Sequence, residues 1–179
     1  MTTFFTSDHH FGHTNVIRQC GRPYTDVTAM DTDLIQRWNA VVGKDDIVWH
    51  LGDFCWINKP DVYLSALNGH VHLVHGNHDS KATRKSPLWA SSQSYAEIKL
   101  DGTNLMLFHY SMRVWNKHHH GSIHLYAHSH GNLPGDAQSC DVGVDAWDFR
   151  PVTLTQIKMR LAESPPRKPV DHHGAEPDA

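Results

Sequence analysis

The sequence predicts a mixed α/β fold, a β-sheet sandwich flanked by helices, on three observations. Short β-prone runs alternate with helical periodicity through the first half of the chain, and a hairpin pattern follows them. Polar residues able to bind metal fall just past the ends of the strand-like runs. The 179 residues are enough for one domain with a real core, and 39% hydrophobic against 20% charged residues is an ordinary globular balance.

Thr3, Phe4, Phe5 and Thr6 make the first β-prone run, ending at Ser7-Asp8. A helix is expected from Thr14 to Cys20, broken by Gly21, Arg22 and Pro23. Met30, Leu34, Ile35, Trp38, Val41 and Val42 recur at helical spacing, so a second helix is expected from Thr28, its cap, to Val42. Ile47 to Leu51 reads as a buried strand ending in Gly52-Asp53. Asp61 to Leu67 reads as a helix, and Val71 to Val74 as a strand ending in His75-Gly76-Asn77. Ser80 to Ser94 is expected to be mostly loop. Tyr95 to Leu100 and Asn104 to Phe108 flank a turn at Asp101-Gly102-Thr103 and form a hairpin. Ile123 to Ala127 and Val142 to Val144 are the remaining strands, and a helix from Thr153 to Leu161 closes the domain. Residues 1–162 thus make the folded domain. Residues 163–179 carry four prolines and almost no large apolar side chain, and are expected to be a disordered tail.

The bulk numbers exclude several classes. A net charge of −3 gives no broad electrostatic footprint for nucleic acid, so no stable nucleic-acid partner is expected. No apolar run approaches the ~20 residues that span a bilayer, and Asp8 stands too early to leave room for a cleaved leader. A cytoplasmic protein without membrane attachment is the expectation. Cys20, Cys55 and Cys140 are odd in number and form no CxxC pair, so they read as reduced, mostly buried thiols.

Seventeen histidines are the unusual count, and they do not form a low-complexity tract. Asp8 and His10 follow the first strand, Asp53 the second, Asn77 and His78 the third. His109 follows the hairpin, and His128 and His130 the strand at Ile123. Ligands of α/β folds gather at the carboxyl ends of strands, so these side chains can converge from five places. Residues i and i+2 of an extended segment project to one side, which suits both the Asp8/His10 and the His128/His130 pair. Carboxylate, imidazole and amide oxygen together suit a borderline divalent metal: manganese first, then iron, zinc, cobalt or nickel. Two such cations repel unless an anion lies between them, and Asp53 is the natural shared carboxylate. A water between them loses a proton near neutral pH and becomes a nucleophile. Two divalent ions, two carboxylates and a hydroxide leave about +1, which attracts a phosphate ester.

Asp8-His9-His10, Gly52-Asp53, Gly76-Asn77-His78-Asp79, His109 and His128-Ser129-His130, in that order, resemble the calcineurin-like metallophosphoesterases. The phrases SDHHFGHTNVI, HLGDF and HGNHD are most similar to a small single-domain branch found in bacteria and their phages. The resemblance implies a four-layer αββα domain with a dinuclear metal site. It implies Asp8, His10 and His130 on one metal, Asn77, His109 and His128 on the other, and Asp53 bridging. It makes His78 the catalytic general acid, which together with Asn77 also contacts the phosphate. Two departures stand out. Ala127 replaces the glycine of the last family block, and the segment after Asp53 lacks the further Asp and Arg of protein phosphatases, which argues against that substrate class.

Around this set, His13 and Arg22 are candidate phosphate contacts, and His75 is a candidate for holding a metal ligand in place. His50 reads as a hydrogen-bonded core histidine, while His70, His72, His124 and the run His118 to His120 read as solvent-facing. The expected activity is hydrolysis of phosphate esters, with phosphodiesters of the nucleotide or cyclic-nucleotide type first. A phosphomonoesterase and an inactive metal-binding or interaction module are the alternatives.

Overall fold

The computed structural model describes residues 1–167; of the tail expected over 163–179, residues 168–179 lie outside the described residues. In chain order the elements are β1 (Thr3–Thr6), α1 (Thr14–Gln19), α2 (Val27–Val41), β2 (Ile47–His50), α3 (Asp61–Leu64) and β3 (His70–Val74). They continue with α4 (Lys81–Arg84), β4 (Ser91–Gln93), β5 (Ala96–Leu100), β6 (Thr103–Leu107), β7 (Ile123–Tyr126), β8 (Ser139–Asp141), β9 (Val152–Thr153) and α5 (Leu154–Glu163). No helix of the described residues is long and apolar enough to cross a membrane.

The strands form two sheets, one ordered β4-β3-β2-β1-β9 and the other β5-β6-β7-β8. β1 to β4 run parallel, each connection being a helical crossover, and β6 to β8 run parallel to one another. One apolar cluster joins Phe5, Val74, Leu105, Leu107, Leu125 and Cys140 with Ile157 and Leu161 of α5, so it lies between the sheets. A second packs Phe4, Val48, Val71 and Leu73 against Val16 of α1 and Met30, Leu34 and Trp38 of α2, covering the outer face of the first sheet. The outer face of the second sheet is covered by the segment from Tyr110 to Ser122, in which His118–His120 form a single 3-10 turn. The expected sandwich flanked by helices is what the chain forms.

Local differences have local causes. α2 is capped by Asp26, whose carboxylate accepts the Ala29 N–H at 2.8 Å, and not by Thr28, whose carbonyl instead receives the Thr32 hydroxyl. β4 is a polar edge strand, Ser-Ser-Gln, whose composition hides it inside the expected loop. The last strand of the second sheet is Ser139–Asp141 and not Val142–Val144. The Asp141 carboxylate accepts the Gly143 N–H at 2.7 Å, which turns the chain and puts Val144 into a one-turn 3-10 helix, Val144–Ala146. The hairpin turn is a two-residue one, with Asp101 and Gly102 both at positive φ between Leu100 and Thr103. At the end of the chain, α5 runs past Ala162 and residues up to 167 pack back onto the fold. Arg167, beyond the expected boundary at 162, pairs with Asp136 at 2.7 Å and lies 4.0 Å above the Trp115 ring.

Candidate metal centre

The carboxyl ends of β1, β2 and β3 in one sheet and of β6 and β7 in the other point to the same end of the sandwich. A bridge between Ser7 and Gly143, just past β1 and β8, ties the two sheets together there. The Asp8 N–H donates to Gly52 O and the His10 N–H to Asp53 O, each at 3.0 Å, so the loops after β1 and β2 are laced to one another. Five of the expected ligands, Asp8, His10, Asp53, His128 and His130, hold left-handed backbone with φ between 48° and 68°. That conformation costs a non-glycine residue of order 1 kcal/mol and persists only where the surroundings impose it. It turns each side chain off its strand and into the space between the sheets.

Two clusters result. Ligand atoms of Asp8, His10 and His130 all lie within 4.8 Å of one another, and those of Asp53, His109 and His128 form a second such group. Asn77 belongs with the second, its Oδ1 3.0 Å from His109 Nε2. Asp53 stands between them, with Oδ2 3.6 Å from His10 Nε2 and 3.5 Å from His109 Nε2. Its other oxygen accepts the His78 N–H at 2.8 Å.

The donor set fits divalent cations. Asp8 Oδ1 and both ring nitrogens of His10 are buried without a hydrogen-bond partner. Such orphans cost about 1–3 kcal/mol each unless something else binds them. Asp8 Oδ2, by contrast, accepts the His128 N–H at 3.0 Å. His109 Nδ1 donates to Leu51 O at 2.7 Å, which turns Nε2 toward Asn77 and Asp53. Burial lifts the Asp8 carboxyl to about 7 and drops the His10 imidazole to about 3, so the protein alone solvates neither charge well. Burial also opposes ionisation of Asp53, yet its hydrogen bonds with His109 and with the His78 N–H hold its carboxyl well below the usual carboxylate range.

The loops that carry these residues are braced by groups with no ligand role. Asp79 accepts N–H bonds from Gly76 (2.7 Å), Phe54 (2.9 Å) and Asp53 (3.1 Å), binding the loop after β3 to the loop after β2. The carboxylate is therefore spent on backbone and does not hold the His78 ring. Where the two loops touch, only glycine fits. A Cβ on Gly76 would lie 2.2 Å from Asp53 Oδ1, and one on Gly52, at φ +97°, would lie 2.3 Å from Gly76 N. Ala127 is not among the left-handed residues; His128, at φ 68°, takes the turn instead.

The expected site residues divide clearly. His78 is exposed, its ring 5.5 Å from that of His10, and His13 stacks face to face on Trp56 at 4.0 Å. Arg22 does not reach the cleft as a phosphate contact. It is buried, and its donors go to Asp8 O, His9 O and both oxygens of Asp145. His75 braces no ligand and bonds Ser92 and Ser94 at the sheet edge. His50 is the expected core histidine. Its Nδ1 accepts the Gly52 N–H, so Nε2 donates to His9 Nδ1 at 2.9 Å. His124 and His118 are buried and not solvent-facing, and His72 is half-buried against Ser91. For His124 the cause is the segment after His109, which folds over the outer face of β7 and bonds the ring. Sequence reasoning missed Asp145, which bonds His130, and the bracing role of Asp79. Asp145 stands at no strand end or short spacing that would single it out, and Asp79, although it closes the block after β3, shows its backbone partners only in three dimensions.

Residues 1–138 match the calcineurin-like phosphoesterase superfamily domain. The chain is 30% identical over 171 residues to an uncharacterized protein of Methanocaldococcus jannaschii, covering 89% of this chain and 90% of that protein. It is also 30% identical over 179 residues to the gene 66 protein of Mycobacterium phage D29, with coverage of 80% and 88%. Among solved structures, a protein of unknown function from Aquifex aeolicus superposes with a TM-score of 0.67 at 22% identity, covering 88% of this chain and 98% of that one.

Proposed function

Since the chain belongs to the calcineurin-like phosphoesterase superfamily and is on that account a metal-dependent phosphoesterase, we propose that it holds two divalent cations and cleaves phosphodiesters. The observation that carries the two-cation reading is the place of Asp53, one carboxylate oxygen about equally far from a nitrogen of each ligand cluster. Asp8, His10 and His130 would hold one ion, Asn77, His109 and His128 the other, and Asp53 both, manganese being the first expectation. Bound there, the pair supplies an activated water and offsets the charge that develops on the phosphoryl oxygens.

The chain's own residues do the rest. His78 acts as general acid: its N–H bond to Asp53 Oδ1 fixes its distance from the shared carboxylate, and its exposed ring is free to give a proton to the leaving oxygen. Asn77 and His13 flank the same phosphate position. The diester preference is supported by two exposed aromatics, one beside His78 and one beside His128. Trp56, 51% exposed, lies 5.3 Å from the His78 ring, and Tyr110, 40% exposed, lies 4.8 Å from the His128 ring. Each offers a face to an organic group, and a diester has two.

Hydrolysis of bis-p-nitrophenyl phosphate against p-nitrophenyl phosphate, with each divalent metal in turn, tests this reading. The diester is expected to turn over faster, and only with metal present. A monoester preference would reassign the substrate class, and no turnover with any metal would leave a binding module.

A further inference from the structure

Among the described residues, His130 is the one expected ligand whose second ring nitrogen is held by a carboxylate. Its Nδ1 donates to Asp145 Oδ2 at 2.7 Å, which leaves Nε2 as the nitrogen available to the cluster with Asp8 and His10. Asp145 is itself clamped: Arg22 Nε donates to Oδ1 and a terminal nitrogen to Oδ2, both at 2.8 Å, a bidentate pair with almost no exposure. The same guanidinium donates to Asp8 O at 2.6 Å and to His9 O at 2.9 Å. One buried cation thus ties the backbone before His10 to the partner of His130. From this geometry we propose that Asp145, clamped by Arg22, is a positioning residue that sets the affinity of the Asp8–His10–His130 ion site and leaves the other site alone. The inference rests on the two-cation reading above.

Three further observations support it. Asp145 sits on a rigid turn: the Val144 N–H donates to Ser7 O at 3.1 Å, and Asp141 accepts N–H bonds from Gly143 and Gly131, the residue after His130. The other cluster has its own support, since the His109 ring is fixed by the Leu51 carbonyl and by nothing on this turn. Cys20, His130 and Asp145 also lie within ligand distance of one another, which by itself would suggest a separate metal site. The Arg22 fork already neutralises Asp145 from the other side, so the carboxylate is committed as a hydrogen-bond acceptor, not as a ligand.

Manganese titration of the metal-free full chain by calorimetry, for the parent, Asp145→Ala and Asp145→Asn, tests this. The parent is expected to take two ions. In Asp145→Ala one ion should bind about 10–100-fold more weakly, the usual cost of losing such a partner, while the other keeps its affinity. Asp145→Asn, whose amide oxygen still accepts from Nδ1, should fall between, and it carries the test if the alanine variant does not fold. Unchanged affinity at both sites overturns the proposal, and so does equal weakening of both, which a merely structural role would give. A third ion in the parent that is lost in both variants would also overturn it. A parent that takes fewer than two ions fails the two-cation reading itself, before any variant is compared.

Discussion

Asp8, His10, Asp53, His128 and His130 accept left-handed backbone that their residue types disfavour, and the loops around them are laced tightly enough to keep them there. Their identities were legible from the sequence because each follows a β-prone run. Their partners were not: Arg22 and Asp145 are 123 residues apart and meet only in three dimensions. That is why Arg22 read as a loop arginine available to phosphate when it is a buried clamp. At this level the proposed mechanism hinges on His78, whose exposed ring lies beside the first cluster. His78→Ala should lower kcat about 10²–10⁴-fold while two metals stay bound, as for a lost general acid. Kinetics combined with metal analysis of the variant checks this; full activity would remove His78 from the reaction.

Among the elements, the parallel strands announced themselves through runs such as Phe4-Phe5 and Val71 to Val74, because both faces of these strands are buried. β4 and β8 stayed hidden because they are three residues long and mostly polar, with Cys140 the one apolar side chain of β8, too little for a pattern. β7 shows the same limit from inside. His124 alternates with Ile123 and Leu125, which suggests a wet face, yet the segment after His109 folds over it. The buried ring donates from Nδ1 to Met106 O and accepts the Met112 N–H at Nε2, each at 3.0 Å, so it must be neutral. Burial depresses its pKa from 6.5 to about 4, partly offset by the carbonyls of Met106 and Tyr110 beside the ring. Between those values the unfolded chain binds a proton that the fold does not, so stability is full above about pH 6.5 and falls as pH drops toward 4. The loss is roughly 3 kcal/mol for such a shift. Urea unfolding of the metal-free protein at pH 7.5 and 4.5 should show a smaller loss in His124→Gln than in the parent; an identical loss contradicts this.

For the whole molecule, the sandwich brings the ends of two separate parallel sheets against each other, and each sheet supplies part of both ligand clusters. Asp8 and His10 come from the first sheet and His130 from the second; Asp53 and Asn77 from the first, His109 and His128 from the second. Neither sheet alone could complete an ion site, so cation binding should depend on the assembled core between them. Anomalous diffraction at the manganese edge, on crystals soaked in manganese, tests the shared Asp53 most directly. Two peaks about 3.5–4 Å apart, with the Asp53 carboxylate between them, are the predicted result. A single peak, or two with Asp53 bound to only one, would contradict it.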